Sequence, residues 1–235
     1  MALIRIDRIV RGAGLATKKE MIALIAEGRV TVNGEPAESI RQRCDPDWDI
    51  RVDGVRAVMK RRRCLMLNKP AGCICATESD REPTVLSLLP SEYADFFPIG
   101  RLDIDSEGLL LLTNDGDLCH EIIMPQSGIC KEYYIEVSGR FREDTAQRFR
   151  EGIRVDEHLT CLPAGIEIAE DGHSAHVFVT EGKRHQVKRM AKAAGTHVTY
   201  LKRLAIGGLR LDPALRPGQF RELTEQEILS VFSNR

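Results

Sequence analysis

Residues 109–112 are four consecutive leucines, closed on one side by Gly108 and on the other by Thr113 and the turn-formers Asn114, Asp115 and Gly116. An uninterrupted apolar run of this length between turn residues predicts a strand covered on both faces, and so a layered core built around it. The nine residues ahead of it, Gly100-Arg101-Leu102-Asp103-Ile104-Asp105-Ser106-Glu107-Gly108, carry one arginine and three carboxylates. A charged loop at the mouth of a buried strand is held in place by it, as a reactive group requires. Three readings compete for this loop. Asp103, Asp105 and Gly108 occupy positions one, three and six of a calcium loop, but position twelve is Asn114 and leucines fill the interval, so that reading is set aside. Solvated acids ahead of a core strand are ordinary in a chain with 29% charged residues. The third reading is a site in which Arg101 and a second cation keep one carboxylate ionised as nucleophile or base.

A chain of 235 residues has room for one large domain or for a small and a medium one. It contains no apolar run of eighteen residues, and its first residues lack the apolar segment of a signal peptide, so a cytoplasmic protein without a membrane span is expected. Seven cysteines without a regular framework fit a reducing compartment rather than a disulfide scaffold. Cys73 and Cys75 have no second Cys/His pair nearby and predict packing thiols, with no metal. The net charge of −1 hides an asymmetry: residues 1–63 hold 14 Lys and Arg against 9 Asp and Glu, while the remainder holds 20 against 26. A basic N-terminal part points to an RNA- or DNA-facing module joined to a second unit.

In chain order, residues 4–11 place Ile6, Ile9 and Val10 on one helical face and Arg5, Arg8 and Arg11 around the other. Thr17-Lys18-Lys19-Glu20 has the form of a capping box, Met21, Ile22, Leu24 and Ile25 supply an apolar face, and Gly28 is placed to end the helix. Val30-Thr31-Val32 reads as a strand entering an Asn33-Gly34 hairpin turn, and residues 50–55 repeat the signal through Asp53-Gly54. The basic run 60–63 either grips phosphates or keeps a linker soluble. Residues 64–67 predict a strand that ends in the turn Asn68-Lys69-Pro70-Ala71-Gly72. A short helix is expected at 85–89, a helix at 118–123 and strands at 131–137 and 177–179. A helix from His185 would align His185, Lys188, Arg189 and Lys192 in a cationic stripe opposite Val187, Met190, Ala191 and Ala194. By itself such a stripe is usually a solvated face. Thr224 and Glu227 cap a last helix.

Residues 100–116 resemble the signature of pseudouridine synthases of the RsuA/RluB type, in which Gly-Arg-Leu-Asp is followed by Asp-Ser/Thr-x-Gly, four leucines and Thr-Asn-Asp-Gly. The resemblance implies that Asp103 is the catalytic aspartate. It extends to the Leu-Asn-Lys-Pro-x-Gly run at 67–72, with Lys69 as a candidate RNA contact. Lys131-Glu132-Tyr133 is similar to the family's second motif, whose tyrosine, here Tyr133, lies against the target base; members often have Thr at position 132, and Tyr134 adjoins. Residues 181–190 resemble the third motif, which implies that Lys188 pairs with the catalytic aspartate and that Arg184, His185 and Arg189 contact substrate beside Arg101. Residues 201–209 resemble Leu-x-Arg-x-x-Ile-Gly-x-Leu, with Leu204 lining the base pocket. The two N-terminal helices and the Val-x-Val-Asn-Gly strand resemble an S4 RNA-binding domain, implying RNA contacts at Arg5, Arg11, Lys18, Lys19 and Arg29.

The implied fold is α+β: a small S4-like α/β RNA-binding domain over residues 1–59, followed by a mixed, mainly antiparallel-sheet pseudouridine synthase catalytic domain over residues 60–235. The implied activity is isomerisation of a specific rRNA uridine through an aspartate nucleophile and base flipping, with no cofactor. The expected partner of the monomer is rRNA or a pre-ribosomal small-subunit particle. The wording of residues 185–190, and a chain that stops soon after its last helix, resemble RsuA members and imply the uridine conventionally numbered 516 in 16S rRNA. A 23S rRNA uridine, as in RluB- or RluE-like members, is the alternative. A non-catalytic S4-type RNA-binding protein would have lost Asp103 or Lys188. A glycosidase pairing Asp103 with Glu107 would call for aromatic platforms, and aromatic residues are only 5% of the chain.

Overall fold

The computed structural model describes residues 3–59 and 62–233, and the chain divides into two compact units, Met1–Arg62 and Arg63–Arg235. The first unit runs β1 (Ile4–Arg5), α1 (Ile6–Gly12), α2 (Lys18–Ala26), β2 (Val30–Val32), β3 (Glu35–Pro36), β4 (Arg43–Cys44), β5 (Ile50–Val52) and β6 (Val55–Arg56). Ile6, Ile9, Val10, Met21 and Leu24 pack with Val30, Val32, Ile50 and Val52 into its core. Both hairpins turn through a positive-φ pair, Asn33-Gly34 and Asp53-Gly54, which is what a two-residue turn of this hand demands. The expected capping box forms: Thr17 accepts from the Glu20 N–H, and the Glu20 carboxylate accepts from the Thr17 N–H at 2.7 Å. Two details differ from expectation. Ile4 and Arg5 are a strand rather than the first helical turn, because they pair with Cys44 and Arg43. Ile22 is exposed, since Met21 and Leu24 alone define the buried stripe of α2.

The second unit comprises β7 (Cys64–Lys69), β8 (Phe97–Ile99), β9 (Glu107–Thr113), α3 (Gly116–Ile123), β10 (Lys131–Ser138), α4 (Thr145–Glu151), β11 (Gly165–Ile168), β12 (Ser174–Val179), α5 (Gln186–Ala193), β13 (His197–Ile206), β14 (Leu209–Arg210), β15 (Phe220–Glu222) and α6 (Glu225–Ser230). Seven strands lie in the order β11-β12-β10-β13-β9-β7-β15, with β8 joined to β9 and β14 to β13. Every pairing is antiparallel except β9 with β13, so the sheet is mixed and mainly antiparallel, as expected.

The leucine strand is central and all four leucines are fully buried. Leu109 and Leu111 pack on one face with Met66, Ile99 and Ile122; Leu110 and Leu112 pack on the other with Leu65, Leu67 and Phe96. Burial on both faces contributes about 1.5–3 kcal/mol per leucine. Beyond the strand the Asp115 side chain caps α3, accepting from the N–H groups of Asp117 and Leu118. Of the basic run 60–63, Lys60 and Arg61 lie outside the described residues. Arg63 donates to Glu222 at 3.1 Å and lies 4.7 Å from the Tyr93 ring centroid, a structural anchor rather than a phosphate grip. Among the described residues no helix is long and apolar enough to cross a membrane.

Candidate active site

Asp103 sits in the loop between β8 and β9, and that loop is tied down from below. Lys69, at the end of β7, is fully buried, and its Nζ donates to the carbonyls of Pro70 at 3.0 Å, Asp103 at 3.1 Å and Ser106 at 2.8 Å. Burial pushes the Lys69 amine below the ordinary lysine range. The expectation that Lys69 meets RNA is therefore corrected: no face of it reaches solvent, and its three donors bind the backbone of the loop that carries Asp103. The Gly72 N–H donates to Ile104 O at 2.7 Å, and the Leu102 N–H to Cys75 Sγ at 3.3 Å. At the other end Gly108 has φ +100°, and a Cβ there would lie 2.3 Å from Arg203 O, where β9 meets β13. Only glycine allows that approach.

The Asp103 carboxylate faces the first turn of α5. Lys188 Nζ lies 3.3 Å from Asp103 Oδ2, and His185 Nε2 lies 3.4 Å from Oδ1. The same Lys188 amine is 2.5 Å from Asp105 Oδ1 and holds the Asp105 carboxyl below the usual carboxylate range. One ammonium thus bridges two carboxylates, and Asp105 is a member of the site that the residue pattern did not single out. His185 precedes α5 in the left-handed region at φ 51°. Asn33 and Asp53, the other non-glycine residues with positive φ among the described residues, sit in hairpin turns, whereas His185 sits at the site, where such backbone strain tends to collect.

Asp103 lines a cavity of about 310 Å³ together with Leu102, Tyr133, Val179, Leu201 and Ile206, and with Arg101 and Lys188. Strand alternation settles which tyrosine belongs to it: Tyr133 lines the cavity, while Tyr134 turns away to donate to Glu136 at 3.1 Å. Glu132, on the face opposite Tyr133, is a buried structural acid held by Arg210 at 2.9 Å and His176 at 3.0 Å. The expectation for Leu204 is corrected. Between Glu132 and Tyr133 the partner on β13 jumps from Ala205 to Arg203, so Leu204 is the extra residue of a bulge, and Leu201 lines the cavity instead. The cavity also takes in Lys131 and Arg203, which stand in the Lys-x-Tyr and Leu-x-Arg motifs but received no role from the sequence.

The remaining expected contacts divide. His185 and Arg101 line the cavity. Arg184 is exposed and outside its lining, and Arg189 is ion-paired with Asp156. Glu181, Lys183 and Gln186 form a brace under α5: Gln186 Nε2 donates to Glu181 at 2.7 Å, and Lys183 Nζ lies 2.8 Å from Glu181. In the first unit Lys18 and Lys19 are exposed in the first turn of α2, and Arg11 is exposed on α1. Arg5 is instead bound to the buried Asp7 through two hydrogen bonds of 2.9 Å, and Arg29 to Asp53 through two of 2.7 Å and to Glu27 at 2.8 Å. Those two guanidinium groups serve their own fold here.

Comparison with known proteins identifies the family of the chain. Residues 63–193 match the RNA pseudouridylate synthase family and residues 4–47 match the S4 domain. The chain is 40% identical to the uncharacterized RNA pseudouridine synthase YtzG of Bacillus subtilis (strain 168), over 95% of this chain and 96% of that protein. It is 39% identical to ribosomal small subunit pseudouridine synthase A of Escherichia coli (strain K12), over 88% of this chain and 90% of that one. A crystal structure of a pseudouridylate synthase superposes with a TM-score of 0.71 at 33% identity, covering 97% of this chain and 99% of that one. The chain belongs to the RNA pseudouridylate synthase family, as an isomerase that carries an RNA-binding S4 domain ahead of its catalytic unit.

Proposed function

We propose that this isomerase converts one uridine of small-subunit rRNA, position 516 in the conventional numbering, to pseudouridine, acting as a monomer on the RNA or on a pre-ribosomal small-subunit particle in the cytoplasm. The target is supported by the 39% identity to a ribosomal small subunit pseudouridine synthase over nearly the whole of both chains. The observation that carries the chemistry is the Asp103 carboxylate at the wall of the cavity, with the Lys188 ammonium 3.3 Å away and Tyr133 in the same lining.

The reaction breaks C1′–N1, turns the base and joins C5 to C1′; C5 loses a proton and N1 gains one. Asp103 is the nucleophile, whether toward C1′ or toward C6 of the base, and Lys188 is its counter-charge. Tyr133 and Leu201 form the walls between which the loosened base turns. A stacked nucleotide is out of reach of a carboxylate set in such a cavity, so the uridine is flipped out of its helix. Mapping of pseudouridine in rRNA from a strain lacking the gene tests the substrate: loss at position 516 is expected, and loss at a 23S position would redirect the assignment. Asp103→Asn is expected to lower turnover by about 10⁴-fold or more, as loss of a nucleophile does elsewhere, with RNA affinity near normal. Retained turnover would remove Asp103 from its role.

A further inference from the structure

Two cations in the cavity have no part in the chemistry outlined above. Arg203 lies opposite Tyr133 in the β10–β13 ladder and is 4% exposed. Its Nε donates to Leu109 O at 2.7 Å, while its Nη2 is buried without a partner. Lys131 opens β10, is partly buried, lines the same cavity, and among the described residues its amine makes no hydrogen bond or ion pair. Burial and the neighbouring guanidinium both push that amine below the ordinary lysine range. The acids lining the cavity do not neutralise them: Asp103 faces Lys188 and His185, and Glu181 faces Lys183 and Gln186. Unpaired buried charge is costly to a fold, and a cavity that keeps two such cations side by side is complementary to something negative.

The isomerisation generates such a species. On the route in which Asp103 attacks C1′, the C1′–O ester forms as C1′–N1 breaks and the electron pair leaves with the base, which becomes a uracilate anion with charge spread over N1 and its two carbonyl oxygens. We propose that Lys131 and Arg203 form a cationic floor that holds the detached base as this anion while it turns. C5 then bonds to C1′ as the Asp103–C1′ ester breaks and releases the carboxylate, the C5 proton departs to solvent, and N1 takes up a proton, so charge returns to its starting balance. An ammonium is a point charge with rotatable donors, and it follows a turning ring better than a fixed pair of hydrogen bonds would. The floor also selects the base, because cytosine presents an amino donor where uracil presents the O4 acceptor. This inference rests on the site's action on uridine but not on which uridine is the target.

The test uses the full-length enzyme and rRNA purified from a strain lacking the gene, so that the natural target is present whatever its position. In single turnover Lys131→Met is expected to be slower than wild type by about 10²- to 10³-fold, the scale for losing one preorganised group at a developing charge. RNA affinity is expected to be unchanged and Lys131→Arg to recover most of the rate. On RNA carrying 5-fluorouridine, whose base leaves more readily as an anion, the deficit measured by disappearance of the original nucleoside is expected to shrink. A merely structural lysine would not produce that dependence on the leaving group. A Lys131→Met enzyme as fast as wild type overturns the proposal, and so does an equal deficit on both RNAs. A wrong target assignment shows instead in which position wild type modifies, and leaves the variant-to-wild-type ratio intact.

Discussion

At the scale of single residues, the site depends on how three lysines are used. Lys69 is inside, Lys188 bridges two carboxylates, and Lys131 stands in the cavity unpaired. Lys69→Met keeps the stem's volume but leaves three buried carbonyls without their donor; a loss of about 2–4 kcal/mol is expected from the desolvation of those groups. Urea denaturation measures it, and RNA affinity is expected to stay near wild type because Lys69 touches no solvent. Asp105 gives a pH-dependent counterpart. Its carboxyl is depressed by the Lys188 hydrogen bond from an ordinary 3.8, so its contribution is complete above that value and fades as pH falls through the depressed one. The side chain is largely exposed, so the contribution is under about 1 kcal/mol. Urea midpoints of wild type and Asp105→Asn are expected to differ at pH 5 and to converge toward pH 2; a constant gap would mean that the ion pair is not its source. Residue types pointed correctly to charge at this loop. They were silent on which lysine is buried, because burial depends on whether backbone carbonyls converge on the amine.

At the scale of elements, the contact between β9 and β13 sets the geometry. Gly108 pairs with Arg203 so closely that a methyl group there would overlap the Arg203 backbone, and its φ of +100° disfavours any other residue. Gly108→Ala is expected to cost more than about 4 kcal/mol, at the severe end for single substitutions, and to lower activity in whatever fraction stays folded, since it displaces both the Asp103 loop and Arg203. Thermal unfolding and single-turnover rates check the two effects separately. The elements themselves were legible: the leucine run, the aromatic and β-branched content of 131–137 and the capped helices all carry local signals. The bulge that sets Leu204 aside and brings Leu201 into the cavity was not, because register comes from the neighbouring strand.

At the scale of the whole molecule, a unit with a basic excess precedes one with an acidic excess, and each has its own core. Removing residues 1–62 is expected to weaken RNA binding and flatten its dependence on salt, since fewer phosphate counterions are released, while the catalytic unit keeps its unfolding transition. Titrations of RNA at two salt concentrations measure the slope, and an unchanged slope would take the S4 unit out of RNA binding. Within that unit Lys18 and Lys19 are expected to carry more of the effect than Arg5 and Arg29, whose guanidinium groups are already held by carboxylates.

What the amino-acid sequence determined by itself was local: a strand where four leucines meet turn residues, hairpins at Asn-Gly and Asp-Gly, helices where capping boxes begin, and a motif naming Asp103. These follow from interactions among residues a few positions apart. The tertiary structure alone decided that Lys188 shares itself between Asp103 and Asp105, that Lys69 lies under the loop, and that Lys131 and Arg203 face one cavity. Each of those depends on side chains that are distant along the chain and meet only when the sheet has closed, and the balance between desolvation and pairing that fixes a charge's role exists only at that meeting.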